Sequence, residues 1–545
     1  MKNLKRKADI FLADRKDSFL KGALILTVAG FVVKALGALY RIPLALLIKD
    51  EGMGLYQMAY PIYLILLSIS TAGLPTAISK MVSEDVALGR YRNAYRIFLV
   101  SLLVLASVGL FLTIILVAGA EMLSVRVYKN PKAYYSIVSI APAIFFVSVM
   151  SCFRGFFQGL QDMVPSAISQ VVEQIGRVVA VFILANLLLP HGVEYAAAGA
   201  AFGPVAGAIA GLLVLILVYY NRKKYLLDQM SQDLGRVLES FAHIIYRLFY
   251  FAIPITLGGL ISPLMNMADA AIVSGRLQDA GFSVKRATEL FGQLTGMAAP
   301  LVNLPVVATT ALSASLVPAI AESMALNDRE MIASRAETGM RLSIIFGLPA
   351  AVGMFVLAEP ITVLLYKNAE AGVSLELLSW GVVFLALTQT TTGILQGIGK
   401  TMIPVRNMLV GAVIKVVINY ILTGIPSINI KGAALGTVVG YLVPSLLNAS
   451  QVVKWTNLKV NLNYMLFKPA LAAAVMGAGV KLVHGQFMLF GLSQNKATIF
   501  AIALGVIIYS LVLLLIGGLK QNDLRVLPGG NKLVLILQKF GVFRR

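Results

Sequence analysis

Lys34 and Arg41 lie inside the apolar stretch 27–48, TVAGFVVKALGALYRIPLALLI, which is long enough to cross a bilayer. A charge at that depth is costly and usually faces a water-filled cavity or a partner. The two cations are seven residues apart, and two turns of α-helix take about seven residues. One helix face therefore aims two positive charges at one place. The chemistry this suits is the binding of an anionic headgroup. A competing reading is that Arg41, nearer the outer end of its span, snorkels to the interface.

Five further charged residues lie inside apolar stretches or at their ends. Glu173 and Arg177 stand four apart in the favourable acid-before-base order. They read either as an internal ion pair that cancels its own burial cost or as a substrate contact. Lys415 and Asn419 share one face of a later span, with no acid beside them in sequence, so Lys415 calls for an anion from elsewhere. Asp269, three residues after Asn266, could pair with Lys34 or Arg41 or bind a coupling cation. Both roles stay open. Arg276, at the outer end of the same span, reads as an interfacial charge.

The elements that must position these groups are membrane helices. The chain is 58% hydrophobic and 13% charged, against about 25% charged in an average soluble domain, and its mean hydropathy is +0.84. Counting apolar runs of about 20 residues predicts fourteen spans, near 20–48, 54–80, 95–118, 133–158, 164–189, 196–220, 246–275, 288–322, 338–358, 373–397, 403–424, 431–452, 466–485 and 497–519. The basic N-terminus runs into a full-length span without a small-residue cleavage site, so no removable signal peptide is expected. With the N-terminus inside, 31 Lys and Arg fall on inner segments, 11 on outer ones and four within spans. This split predicts that both termini are cytoplasmic. It also accounts for the net charge of +21 without a nucleic-acid partner.

The two halves repeat. GLPTAISKMVSEDVALGR (73–90) is echoed by SLVPAIAESMALNDR (315–329), RGFFQGLQDMVPS (154–166) by TGILQGIGKTMIPV (392–405), and AAGAAFGPVAG (197–207) by IKGAALGTVVG (430–440). The expected organisation is an N-terminal lobe (1–220, spans 1–6), a cytoplasmic linker (221–245), a C-terminal lobe (246–453, spans 7–12), and spans 13–14 with an amphipathic cytoplasmic tail (454–545). Such repeats suggest a transporter with its site near the midplane. Gly155, Gly159, Pro165, Gly397 and Pro404 mark paired hinge or packing positions. The ladders Gly199, Gly203, Gly207, Gly211 and Gly432, Gly436, Gly440 should let helices approach closely. Pro43, Pro61, Pro75, Pro254, Pro263, Pro300, Pro305 and Pro318 crowd spans 1, 2, 7 and 8, where they either bend helices that open and close or are simply tolerated.

No enzyme signature is visible. There is no phosphate-binding Walker loop, no Ser/His/Asp set, a single cysteine and only three scattered histidines. No catalytic residue, metal or cofactor is expected. The driving force is then an ion gradient, the membrane potential or the substrate's own gradient.

LGALYRIPLA (36–45), GLYQMAYPIYLILLSISTAGLPTAISKMVSE (54–84) and the RGFFQG hinge resemble the multidrug/oligosaccharidyl-lipid/polysaccharide exporter superfamily. Within it the chain is most similar to the polysaccharide biosynthesis branch of stage V sporulation protein B, YtgP-type proteins and MurJ-type lipid II flippases. The resemblance implies an all-α polytopic protein: two six-helix lobes in a V, two added C-terminal helices, and alternating access. It implies a bacterial cytoplasmic membrane location and an undecaprenyl-diphosphate-linked glycan as substrate. Arg41 matches the family's span 1 arginine, and Lys34 sits where a further basic residue is found. The arginines of spans 2 and 8 are unmatched, since Pro61, Tyr63, Ser68, Gln293, Pro300 and Asn303 stand there. Either Arg177, Lys415 and Arg154 take over the anion, or the substrate differs.

The expected function is a flippase for a lipid-linked glycan, foremost lipid II, with Lys34, Arg41, Arg177 and Lys415 as diphosphate-binding cations and Asp269 or Glu173 as charge partner or coupling acid. The bilayer and cell-wall synthesis or division proteins are the expected partners. The alternatives are a teichoic-acid or capsule flippase, a cation-coupled drug antiporter, and a non-transporting scaffold of a division or sporulation complex. The antiporter would need an acidic cavity.

Overall fold

The computed structural model describes residues 25–26, 29–30, 32–33, 35–37, 39–71, 73–231, 238–458 and 460–519. Lys34 and the C-terminal tail therefore lie outside the described residues. Among the described residues the chain is helical, with no strand. It is a multi-pass membrane protein. Eleven described helices are long and apolar enough to cross a membrane, or twelve if the bent pair Ala371–Leu378 and Gly381–Gly397 is one span.

The difference from fourteen has a local cause. Spans 1 and 2 run together within the stretch Ala35–Ala87. The break between them is at Lys49, with φ 55° and ψ −167°. The chain turns at its polar KDEG step rather than at a proline, while Pro61 sits inside the continuing helix. Span 7 lies on the helix Phe241–Asp279, of which Phe241–Ile253 stands out as a shorter apolar helix.

The chain divides into two compact units, Met1–Gly275 with Val284–Gly292, and Arg276–Ser283 with Gln293–Arg545. The first holds α1 (Arg41–Thr71), α2 (Leu74–Ala87), α3 (Tyr91–Met122), α4 (Ala133–Ile140), α5 (Pro142–Gly159), α6 (Val164–Leu188), α7 (Val193–Ser231), most of α8 (Phe241–Asp279) and α9 (Val284–Gly292). Its core is mainly aliphatic with a phenylalanine cluster inside it. Phe98 stacks on Phe156 at 4.4 Å between ring centroids and meets Phe153 edge-on at 5.1 Å. Cys152 is buried there, its thiol against the Phe98 carbonyl.

The second unit holds α10 (Ala299–Ala325), α11 (Arg329–Val356), α12 (Ala358–Tyr366), α13 (Ala371–Leu378), α14 (Gly381–Gly397), α15 (Met402–Thr423), α16 (Ile430–Thr456), α17 (Lys468–Leu489) and α18 (Gln494–Leu515). A wide-turned π-helical segment, Gln293–Ala298, leads into Pro300 at the start of α10. A proline lacks the amide that would continue an ordinary turn, so a local irregularity is the expected response.

The repeat is carried by glycine contacts. In the first unit a Cβ on Gly155 would meet the Pro75 carbonyl at 2.8 Å, and one on Gly159 would meet Val82 at 2.6 Å and the Ser79 carbonyl at 3.0 Å. In the second, Gly393 faces Ser313, and Gly397 faces Ile320 at 2.9 Å and the Val317 carbonyl at 2.9 Å. All five pairs are separated by the same step in sequence. After α5 the chain turns at Gln161 (φ 64°), and after α14 at Gly399 (φ 84°). Pro165 and Pro404 then open the following helices, where a missing amide costs nothing.

Gly155→Val is expected to destabilise the protein by about 1–3 kcal/mol or more, the cost of overpacking. Gly119→Ala, with open space around the added carbon, should be tolerated. Unfolding temperatures of the purified variants in detergent check both outcomes.

Candidate functional site

The charged site of the first unit grows from α6. Pro165 starts that helix, and Ser169, Glu173 and Arg177 follow at four-residue steps on one face. The ladder of α7 lies behind them. A Cβ on Gly207 would meet the Glu173 carbonyl at 2.5 Å, and one on Gly211 the Ser169 carbonyl at 3.0 Å. The bare face of α7 thus brings the two backbones together and leaves room for the stems of Glu173 and Arg177, whose Cβ atoms lie 3.1 Å from the Cβ position of Gly211 and 3.0 Å from that of Gly207.

Glu173 bridges two arginines. Arg177 Nη2 donates to Oε1 at 2.9 Å, and Arg154 Nη2, from α5, donates to Oε2 at 2.9 Å. Arg154 also donates to Ser169 Oγ at 2.8 Å. The three charged side chains are only 14–15% exposed. The pairing of Glu173 with Arg177 is the local ion pair that their spacing allows. Arg154, which reads in sequence as a cation at the inner end of its span, joins it from 19 residues away.

Arg41 completes the patch from α1. Its guanidinium lies 5.9 Å from the centroid of the Tyr60 ring, a separation at which a cation is attracted to the π face. Tyr40, Tyr56 and Tyr60 lie around Arg41, and Tyr40, Tyr60 and Tyr63 lie with Glu173 around Arg177. Tyr40 and Tyr56 share a hydrogen bond at 3.2 Å. Gln174, 4% exposed, brings its Nε2 to 3.5 Å from where a Cβ of Gly37 would stand. Three guanidinium charges against one carboxylate leave this patch electropositive. The tyrosines were not singled out as a set from sequence, although Tyr56, Tyr60 and Tyr63 are spaced for one helix face.

Of the other expected residues, Asp269 belongs to the first unit and Lys415 and Arg276 to the second. Lys415 is 4% exposed in the second unit, on a buried stripe of α15 with Asn407, Gly411 and Asn419. It occupies the repeat position of Arg177, as the glycines show. Gly207 packs on Arg177 Cβ at 3.0 Å and Gly440 on Lys415 Cβ at 2.9 Å. Asp269 is 8% exposed within α8. Arg276 is anchored, donating to the Tyr420 carbonyl at 2.9 Å and to Asp279 at 3.0 Å. Among the described residues no group of three His, Cys, Asp or Glu could hold a metal.

A second polar cluster ties segments of the first unit together. Lys132, just before α4, bridges Glu51 at 3.3 Å and Glu194 at 3.2 Å. Partial burial opposes the Lys132 charge, but the hydrogen bonds and attraction of Glu194 and Glu51 outweigh it and raise its pKa. The lysine side of the bridge therefore persists below the ordinary lysine range and is lost only as pH climbs beyond it. In the second unit an apolar cavity of about 490 Å³ is lined by Phe346, Met354, Met476, Val506 and Leu513 among others. It has the character of a hydrocarbon site and no cation, so the anion chemistry lies with the arginines.

Residues 19–324 match the polysaccharide biosynthesis protein family and residues 294–421 the MatE family. Stage V sporulation protein B of Bacillus subtilis (strain 168) is 31% identical, over 95% of this chain and 99% of that protein. Lipid II flippase MurJ of the same organism is 30% identical, over 94% and 97%. A solved lipid II flippase MurJ in an inward closed conformation has a TM-score of 0.65 at 14% identity, covering 90% of this chain and 98% of that one. An inward-facing multidrug resistance MATE transporter of the MOP superfamily has a TM-score of 0.66 at 15% identity, covering 80% and 98%. At those identities the structures support the fold.

Arg154→Ala and Arg177→Ala should each lower stability modestly, because Glu173 keeps one guanidinium. The double variant should cost more than the sum, with a coupling of about 0.5–3 kcal/mol, because it leaves a buried carboxylate without a counter-ion. A double-mutant cycle on unfolding temperatures measures this.

Proposed function

The chain belongs to the polysaccharide biosynthesis protein family, and from that premise we propose that it is a flippase for a lipid-linked glycan. The cargo would pass from the inner to the outer leaflet by alternating access of the two repeat halves, without chemical change. The observation that carries this reading is the electropositive, tyrosine-lined patch of Arg41, Arg154 and Arg177 at membrane-spanning positions. Guanidinium groups match phosphate oxygens in a planar, multidentate way, and aromatic faces suit sugar rings and cations. A diphosphate is the anion these residues fit best. Lys34, outside the described residues, is proposed as a further diphosphate cation from its sequence position alone, and Lys415 as the cation of the equivalent position in the second half.

The apolar cavity beside α11, α17 and α18 suits an isoprenoid chain. A drug antiporter is disfavoured because the patch carries more cations than acids. Lipid II is the proposed cargo, supported by the similarity to the B. subtilis MurJ. The similar level of identity to stage V sporulation protein B supports a second reading, in which the same chemistry serves a polyprenyl-linked glycan during spore formation. Both place the protein in the bacterial cytoplasmic membrane with its termini inside.

Depletion in the native host, with lipid II tracked by leaflet, tests the cargo. Inner-leaflet accumulation should be cleared by wild type and not by Arg41→Ala or Arg177→Ala at normal expression, with at least a tenfold loss of flipping. An unaltered leaflet distribution in a host without a redundant flippase would remove lipid II as the cargo.

A further inference from the structure

The bridge at Glu173 is incompletely satisfied. Arg154 Nε, Arg177 Nε and Gln174 Nε2 are buried donors with no hydrogen-bond acceptor among the described residues. Glu173 engages each arginine through a single terminal nitrogen, although a guanidinium offers five N–H groups arranged as a fork. One carboxylate has only two oxygens and one charge to set against two guanidinium groups. Native interiors seldom leave buried donors unpaired, and each exception calls for an explanation. Here three of the thirteen such atoms among the described residues belong to the two arginines of one ion bridge and the residue next to its carboxylate. Gln174 sits on the turn between Glu173 and Arg177, facing Gly37 of the first span.

This pattern is that of a site built for a larger anion and held by a smaller one. We propose that Glu173 is a stand-in anion, which neutralises Arg154 and Arg177 while the site is empty and yields them to the diphosphate group of the cargo. The diphosphate oxygens would take the two Nε–H groups and the Gln174 amide that the carboxylate leaves unmet. Naming the cargo rests on the function proposed above; the exchange of carboxylate for phosphate oxygens rests on the bridge itself.

Such an exchange has two effects. In the empty protein it keeps two guanidinium groups paired in a low-dielectric setting. On loading it makes the anion compete with an internal carboxylate, so binding is weakened and release is helped. No covalent step is involved. Glu173 thereby acts as a positioning residue that sets affinity against turnover. Its removal should tighten binding and slow release, opposite to the loss expected from removing an arginine.

The test is calorimetric titration of inorganic pyrophosphate into the purified full chain in lipid nanodiscs. Glu173→Gln should bind about tenfold more tightly than wild type, a difference of about 1.4 kcal/mol. Adding Arg177→Ala to Glu173→Gln should abolish the gain. Glu121→Gln, which removes the same charge at an exposed position, should leave affinity unchanged. Unchanged or weaker binding by Glu173→Gln, or an equal gain from Glu121→Gln, would overturn the proposal.

If Glu173→Gln does not yield monodisperse protein, Glu173→Asp withdraws the carboxylate by one methylene. It should tighten binding by a smaller factor, and wild-type affinity there would overturn the proposal equally. The leaflet assay fails or succeeds separately. A failed leaflet assay with the pyrophosphate result intact would change the cargo and keep the stand-in, whereas the converse would keep the flippase and discard the stand-in.

Discussion

A guanidinium group inside a membrane must be paired, hydrated or neutralised, and arginine does not give up its proton. In the first unit the constraint falls on Arg154, Arg177 and Arg41, and the arrangement around them answers it. Glu173 holds two of the three at 2.9 Å. Tyr60 lies beneath the third. The helix carrying Glu173 can present it only because α7 offers a bare glycine face for α6 to lie against. Packing and electrostatics are therefore one problem here. A side chain added to Gly207 or Gly211 would push away the backbone that aims the charges.

The same solution occurs twice with different contents. Arg177 over Gly207 corresponds to Lys415 over Gly440, and Val181 beside Gly203 to Asn419 beside Gly436. The hinge glycines repeat as faithfully: Gly155 and Gly159 meet α2, and Gly393 and Gly397 meet α10, at equivalent positions. What is retained between the halves is close helix approach. What differs is the charged content: the first half carries an Arg–Glu–Arg bridge, whereas the second buries a lysine on an asparagine-lined stripe. A transporter assembled from a duplicated unit can thus keep its mechanics while the two copies take unequal shares in recognition.

Much of this was legible in the sequence. Hydropathy placed the helices, because in a membrane every backbone group must be satisfied within the segment. The four-residue spacing of Glu173 and Arg177 announced their pairing, and the glycine ladders announced close packing. Other features depended on contacts that no local pattern encodes. Arg154 counted in the sequence as an inner-side cation that could share in binding the anion, but its bond to Glu173, from 19 residues away, needed α5 and α6 side by side. The break between the first two spans falls at Lys49, on a polar step, whereas prolines had marked the bends. Pro61 shows why they mislead: an interior proline can be carried in a continuing membrane helix. The unmet donors of Arg154, Arg177 and Gln174 appear only when the neighbours of each atom are known.

The most direct test of the account is transbilayer movement in a purified system. The full chain would be reconstituted in liposomes with a fluorescent polyprenyl-diphosphate glycan in one leaflet, and its arrival in the other followed by quenching. The account predicts movement well above protein-free liposomes, lost in Arg41→Ala, and absent for the same glycan on an uncharged polyprenyl lipid. Equal movement of the charged and uncharged lipids, or none above the protein-free rate in an active preparation, would contradict it.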